Sequence, residues 1–222
     1  MSMIRKKTVY FLIDCSGSMY GSRADAVNNA MAQVVDEVVP QVRANKIEDM
    51  ELSFVVLGFS DARAEKVFEI VPKTALEDFT TWDPIDPEAF SGGTPTGAAL
   101  KKVMEDLLGG NRGEPDVNAV APAIILISDG KPTGTDPTYE EMLECAEKGN
   151  PHEVKAFRKA LRVALGISVD DKGRESLKKF GRVSDRMASI GISAYYDCTE
   201  EYAQQFAEIL KSVTVNATMS DS

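Results

Sequence analysis

Residues that commonly carry chemistry are scarce in this chain. It has one histidine, His152, one tryptophan, Trp82, and three cysteines, Cys15, Cys145 and Cys198. The odd number and wide spacing of the cysteines give neither a disulfide framework nor zinc-binding spacing. They read as reduced thiols in a cytoplasmic protein. Basic residues are outnumbered, 25 Lys and Arg against 35 Asp and Glu, for a formal charge of −10. That balance argues against nucleic acid, where a basic patch supplies the phosphate attraction, and against an anionic membrane surface. No apolar run approaches the length of a membrane span. The start, MSMIRKKTVYFLID, reaches the polar Asp14 too soon to read as a secretion signal. There is no G-x-x-x-x-G-K-[ST] phosphate loop, no internal repeat and no low-complexity segment.

Against these gaps stands a hydrophobic fraction of 43% in 222 residues, enough for a sizeable α/β core. Apolar runs at Thr8 to Asp14, Met50 to Phe59, Pro122 to Asp129, Leu161 to Ile167 and Ile192 to Cys198 predict strands. Two of them, VYFLI and AIILI, are unbroken, as suits strands buried on both faces of a parallel sheet. Glu65 to Val71 predicts a short strand ended by Pro72. Only a few residues join it to its predecessor, so the pair should be antiparallel. Helical periodicity predicts helices at Ser22 to Val42 (frayed or bent at Pro40), Pro95 to Leu108, Pro137 to Lys148, His152 to Ala160 and Glu175 to Phe180. Asn150 and Pro151 are placed to cap the fourth of these. A final helix is expected after Thr199, with Tyr202, Phe206, Ile209, Leu210 and Val213 on its buried face. Residues 183–190 are ambiguous. Six strands interleaved with helices give a doubly wound, Rossmann-like, mostly parallel sheet with one antiparallel edge strand and helices on both faces. The expectation is one domain over residues 1–222, with its core at about 8–213 and a polar tail at 214–222.

The stretch VYFLIDCSGSM holds the chemistry. A buried strand ends in Asp14, and the loop that leaves it carries Ser16 and Ser18 in a D-x-S-x-S spacing. A carboxylate and two hydroxyls are hard oxygen donors, the ligands a hard divalent cation prefers. A second predicted strand ends in Asp129. The segment Ser91-Gly92-Gly93-Thr94-Pro95-Thr96-Gly97 combines glycines that allow close backbone approach with another hydroxyl, on Thr94, just before a helix.

These motifs resemble those of the von Willebrand factor A (vWA) family, whose metal-ion-dependent adhesion site begins D-x-S-x-S. Thr94 matches the threonine of its G-x-T-x-T loop, and Asp129 the acid ending its fourth strand. The resemblance implies a strand order of 3-2-1-4-5-6. It also implies a metal site of Asp14, Ser16, Ser18, Thr94 and Asp129 at the switch point between strands one and four. Ser16, Ser18 and one of Thr94 or Asp129 would touch the metal, with the acids acting partly through water. The expected ion is Mg2+, with Mn2+ or Ca2+ as substitutes, and a partner's Asp or Glu would complete its shell. Within the family, VYFLIDCSGSMYG with AVNNAM and SGGTPTGAAL are most like the bacterial tellurite-resistance-associated TerY-like proteins. That likeness implies a cytoplasmic stress-response role beside kinase- or phosphatase-like protein partners.

Two other readings fit parts of the pattern. One is a structural subunit in which the metal only pins three loops together. The other is a Mg2+-dependent phosphohydrolase with an Asp after strand one. That chemistry uses D-x-D, and position 16 is Ser, so the general acid/base carboxylate is missing. Serine hydrolysis is weaker still, because Ser16 is not in a G-x-S-x-G elbow and His152 is placed at a helix start. No catalytic residue is assigned, and no organic cofactor. Trp82, in the irregular 73–90 segment, is either a specificity rim or a packing residue. Cys15 is expected to point into the core, away from the ion.

Overall fold

The six strands hydrogen-bond in the order β3-β2-β1-β4-β5-β6. They are β1 (Arg5–Asp14), β2 (Met50–Phe59), β3 (Val67–Ala75), β4 (Ala123–Ser128), β5 (Leu161–Ile167) and β6 (Tyr195–Cys198). All neighbours are parallel except β2 and β3. The structure is a computed structural model that describes residues 4–45, 49–109, 117–134, 136–148, 155–198 and 203–219.

Strand periodicity sorts side chains into two cores. Val9, Phe11 and Ile13 of β1 face one helical layer, and Tyr10 and Leu12 face the other. The first layer contains α1 (Ser22–Gln33), α2 (Val39–Ala44), α7 (Asp185–Ser189) and α8 (Ala203–Met219). The second contains α3 (Thr96–Leu107), α4 (Tyr139–Lys148), α5 (Lys155–Lys159) and α6 (Asp171–Phe180). β1, β2 and β4 are covered on both sides, which is why their central stretches are continuously apolar. β5 hides an exception. Arg162 is buried, paired with Glu147, and its guanidinium lies 5.4 Å from the Phe157 ring centre and 5.8 Å from that of Phe180.

Several boundaries differ from the sequence expectation, each for a local reason. β3 does not end at Pro72 but runs to Ala75. It is an edge strand, and Val56 pairs with Val71 while Phe54 pairs with Thr74, so one extra residue bulges there. A bulge on an edge strand tolerates a residue that has no N–H to donate. The first helix continues past Pro40, as expected, with a local distortion just before it. Residues Val34–Val38 form a π turn, closed by the Val39 N–H donating to the Val34 carbonyl, and α2 then continues to Ala44. Widening the helix there accommodates the proline ring and its missing donor.

α6 begins at Asp171, because the Asp170 carboxylate caps it by accepting from the Gly173 N–H at 2.7 Å. The ambiguous 183–190 segment holds α7, capped by Ser184. β6 is shorter than expected, starting at Tyr195. Residues 214–219, expected as part of a polar tail, belong instead to α8, with Thr214, Ala217 and Thr218 buried. The expected roles of Asn150, Pro151, His152, Thr199 and Tyr202 lie outside the described residues.

Candidate metal centre

The loops that leave the C-terminal ends of β1 and β4 meet the loop that precedes α3. The register places Ile13 opposite Ile127, so the chain leaves the two strands side by side, through Asp14 and through Ser128-Asp129. That is the switch point of the sheet, the place where open α/β sheets bind ligands.

Asp14 is fully buried. Its Oδ1 accepts from the Ser16 N–H at 2.9 Å, and its Oδ2 from the Ser128 hydroxyl at 2.6 Å. Burial pushes its pKa up to about 6. Hydrogen bonds from Ser128 and Ser16 act in the opposite direction, and the neighbouring Asp129 adds a smaller upward push. Asp14 is the last residue of β1 and lies in the core, not in the loop that leaves the strand.

The chain then turns through a 3-10 helix, Gly17–Met19, anchored by the buried Met19. Gly21 precedes α1 at φ 83°, a conformation open to glycine. This turn brings the Ser16 and Ser18 hydroxyl oxygens to 3.1 Å, and the Ser18 hydroxyl donates to Asp129 Oδ1 at 2.9 Å. Ser16 and Asp129 are buried, while Ser18 is exposed. Four of the five expected site residues thus form one connected cluster with an open side at Ser18.

Thr94, the fifth, stands in the adjoining loop, and its hydroxyl is outside that hydrogen-bond chain. Its backbone is held instead, with the N–H donating to the Thr133 hydroxyl at 2.6 Å and the carbonyl accepting from the Thr133 N–H at 2.7 Å. The loop is stitched to the D-x-S-x-S turn by Gly17 N–H to Gly92 O and Ser91 N–H to Cys15 O, both 2.9 Å. On its far side Gly93 N–H donates to Asp61 Oδ1 at 2.5 Å, and the Ser60 hydroxyl donates to the Ser91 carbonyl. A Cβ on Gly93 would sit 2.7 Å from both Asp61 Oδ2 and Thr133 Oγ1, so a larger residue there would displace these two side chains.

Sequence reasoning gave no role to Ser60, Asp61, Ser128, Thr133 or Arg23. The only local signal for the first three was their position just after β2 or beside Asp129. Arg23, in the first turn of α1, donates through one Nη to Asp129 Oδ2 at 2.5 Å and to the Ser18 carbonyl at 2.7 Å. Cys15 points into the core as expected, and burial, followed by the charge of Asp14, pushes its thiol up to about 12. Trp82 packs half-buried against the α1-side core, the packing alternative.

The donor set is chemically coherent. Two carboxylates and a run of hydroxyls supply oxygen only, the preference of Mg2+, Mn2+ or Ca2+. Among the described residues no group of three or more His, Cys, Asp or Glu side chains is arranged to hold a metal ion. Asp14 is a deeply buried carboxylate held only by neutral donors, a group whose charge a cation nearby would stabilise.

Comparison with known proteins accords with this geometry. The chain matches the von Willebrand factor type A domain model over residues 8–189. Comparison with curated protein sequences gives no match. Among solved structures it is similar to the pilus adhesin SpaC from Lactobacillus rhamnosus GG in its open conformation. There the identity is 16% and the TM-score 0.62, over 95% of this chain and 30% of that one. It is also similar to the vWF domain of the type V pili tip protein Mfa5 from Porphyromonas gingivalis, at 14% identity and a TM-score of 0.56, over 100% and 99% of the two chains. A third is proximal thread matrix protein 1 from the mussel byssus with a zinc-occupied MIDAS motif, at 16% identity and a TM-score of 0.60, over 96% and 49%. The chain thus spans less than two thirds of SpaC and of the byssus protein, and at these identities the likeness is one of fold. By the family match and by the strand order it shares with its expectation, the chain belongs to the von Willebrand factor type A domain family.

Proposed function

We propose that this domain is a metal-dependent protein-binding module that recruits an acidic side chain of a partner through Asp14, Ser16, Ser18, Thr94 and Asp129. The observation that carries the reading is the Ser16–Ser18–Asp129 chain of oxygens, open to solvent at Ser18 and backed by the buried Asp14. A divalent cation bound there supplies an electrophilic centre that a partner's Asp or Glu can complete. The oxygen-only donors favour Mg2+, with Mn2+ or Ca2+ as substitutes. The byssus protein's zinc shows that a fold of this kind can hold a divalent ion.

Protein hydrogen bonds join the loops that carry these residues. The loops are tied by backbone hydrogen bonds between Gly17 and Gly92 and between Ser91 and Cys15. Catalysis is not proposed, because position 16 offers a hydroxyl where phosphohydrolase chemistry uses a carboxylate. The TerY-like likeness of the sequence motifs extends the proposal to a cytoplasmic tellurite or chemical-stress system with kinase- or phosphatase-like partners. No described helix is long and apolar enough to cross a membrane.

Calorimetric titration with Mg2+, Mn2+ and Ca2+, followed by capture of partners with Mg2+ or with EDTA, tests this. Saturable binding of one ion per chain and partners retained only with Mg2+ are expected. No binding of any of the three ions would overturn the reading.

The affinity is expected to depend on pH. Asp14 must be ionised to act as a metal donor, and its pKa of about 6 means protons compete from that point downward. Mg2+ affinity is therefore flat above pH 7 and falls by about tenfold per unit below pH 6. An unchanged affinity between pH 7 and pH 5 would take Asp14 out of the site. An ordinary carboxylate would start this loss two units lower; burial moves it.

A further inference from the structure

Arg23 is an unusual residue for its position. It is the second residue of α1, where the helix dipole favours acids rather than cations. What holds it there is tertiary. Its guanidinium donates to Asp129 Oδ2 at 2.5 Å and to the Ser18 carbonyl at 2.7 Å. The Asp129 carboxylate is 4% exposed and the Arg23 side chain 24%, so the pair is sheltered rather than screened. Both Asp129 oxygens are thereby engaged, Oδ1 by the Ser18 hydroxyl and Oδ2 by Arg23.

Charge counting makes this arrangement matter. Asp14 and Asp129 carry two negative charges, which a divalent cation balances. With the guanidinium still on Asp129 the same enclosure would hold a surplus positive charge, which is costly away from water. Arg23 and a divalent ion therefore cannot both draw fully on Asp129. We propose that Arg23 is a built-in counter-cation that competes with the divalent ion for Asp129, so that metal affinity is set from the first turn of α1. This rests on the metal-binding reading above. The contact neutralises Asp129 and ties the α1 start to the β4 end. On loading, the guanidinium gives up Oδ2, and its partly exposed position lets it do so without unpacking the core.

The test compares Mg2+ titrations and EDTA melting curves for the wild type, Arg23→Gln and Arg23→Lys. Arg23→Gln removes the charge and is expected to bind Mg2+ about tenfold tighter, equivalent to about 1.4 kcal/mol. It is also expected to melt about 3 °C lower in EDTA, because Asp129 has lost its counter-charge. Arg23→Lys keeps a cation without the planar fork and is expected to fall between the two. Mg2+ affinity in Arg23→Gln equal to or below that of the wild type would overturn the proposal, since Arg23 would then be inert or would orient Asp129 for the ion. If no variant bound Mg2+, the metal-binding reading and this proposal would both fall. The EDTA melting shift would persist in that case, marking the pair as structural only.

Discussion

Asp129→Ala is expected to weaken Mg2+ binding by on the order of a hundredfold and to abolish Mg2+-dependent partner capture, with the far-UV circular dichroism spectrum unchanged. The size follows from charge, since affinity in oxygen-ligand sites tracks the number of anionic ligands and this site has two. The fold should survive because the groups left behind are not deeply buried. Ser18 is exposed and Arg23 is partly so, and water can replace the lost acceptor for each. Asp14→Ala removes the other anionic ligand at a different cost. It strands the Ser16 N–H and the Ser128 hydroxyl in the interior, which costs about 1–3 kcal/mol of stability. The two substitutions should thus lose metal alike and differ in urea midpoint. Wild-type Mg2+ affinity in Asp129→Ala would remove that residue from the site, and equal urea midpoints would contradict the burial argument.

Gly97→Ala is expected to destabilise the domain by about 3 kcal/mol and to weaken metal binding with it. A Cβ at position 97 would lie 2.3 Å from the Pro137 carbonyl oxygen, 2.7 Å from the Thr138 carbonyl carbon and 2.8 Å from its oxygen. These are backbone atoms, so no rotamer change relieves the contact, and α3 must move away from the loop that follows β4. That loop carries Asp129 and Thr133, and Thr133 holds Thr94 through two hydrogen bonds. The same displacement should therefore reach the site. Urea unfolding and a Mg2+ titration on one preparation check both. A loss below about 0.5 kcal/mol would mean that the 137–138 backbone yields freely.

By itself the sequence determined the elements whose signal is local. The apolar runs of β1, β2, β4 and β5 stand out because strands covered on both faces need apolar residues at every position. The amphipathic repeats of α1, α3 and α8 did likewise. The D-x-S-x-S spacing placed Ser16 and Ser18 on the loop that leaves the strand ending in Asp14, and the fourth strand ended within a residue of the expected Asp129. Close approach at the Gly92-Gly93 segment was legible because glycine is the residue that permits it.

Tertiary structure decided the rest, where the physics is non-local. Whether Pro72 ends a strand depends on whether that strand is an edge, and whether Pro40 ends a helix depends on whether a π turn can absorb it. Neither is written in the neighbouring residues. The burial of Asp14, and hence its raised pKa, exists only once β2 and β4 close around β1. Asp61 and Thr133 reach the site from loops and Arg23 from the start of α1, where it meets an acid 106 residues away. A polar side chain in a loop has no periodicity, so its partner is set by the sheet order that brings two distant strand ends together.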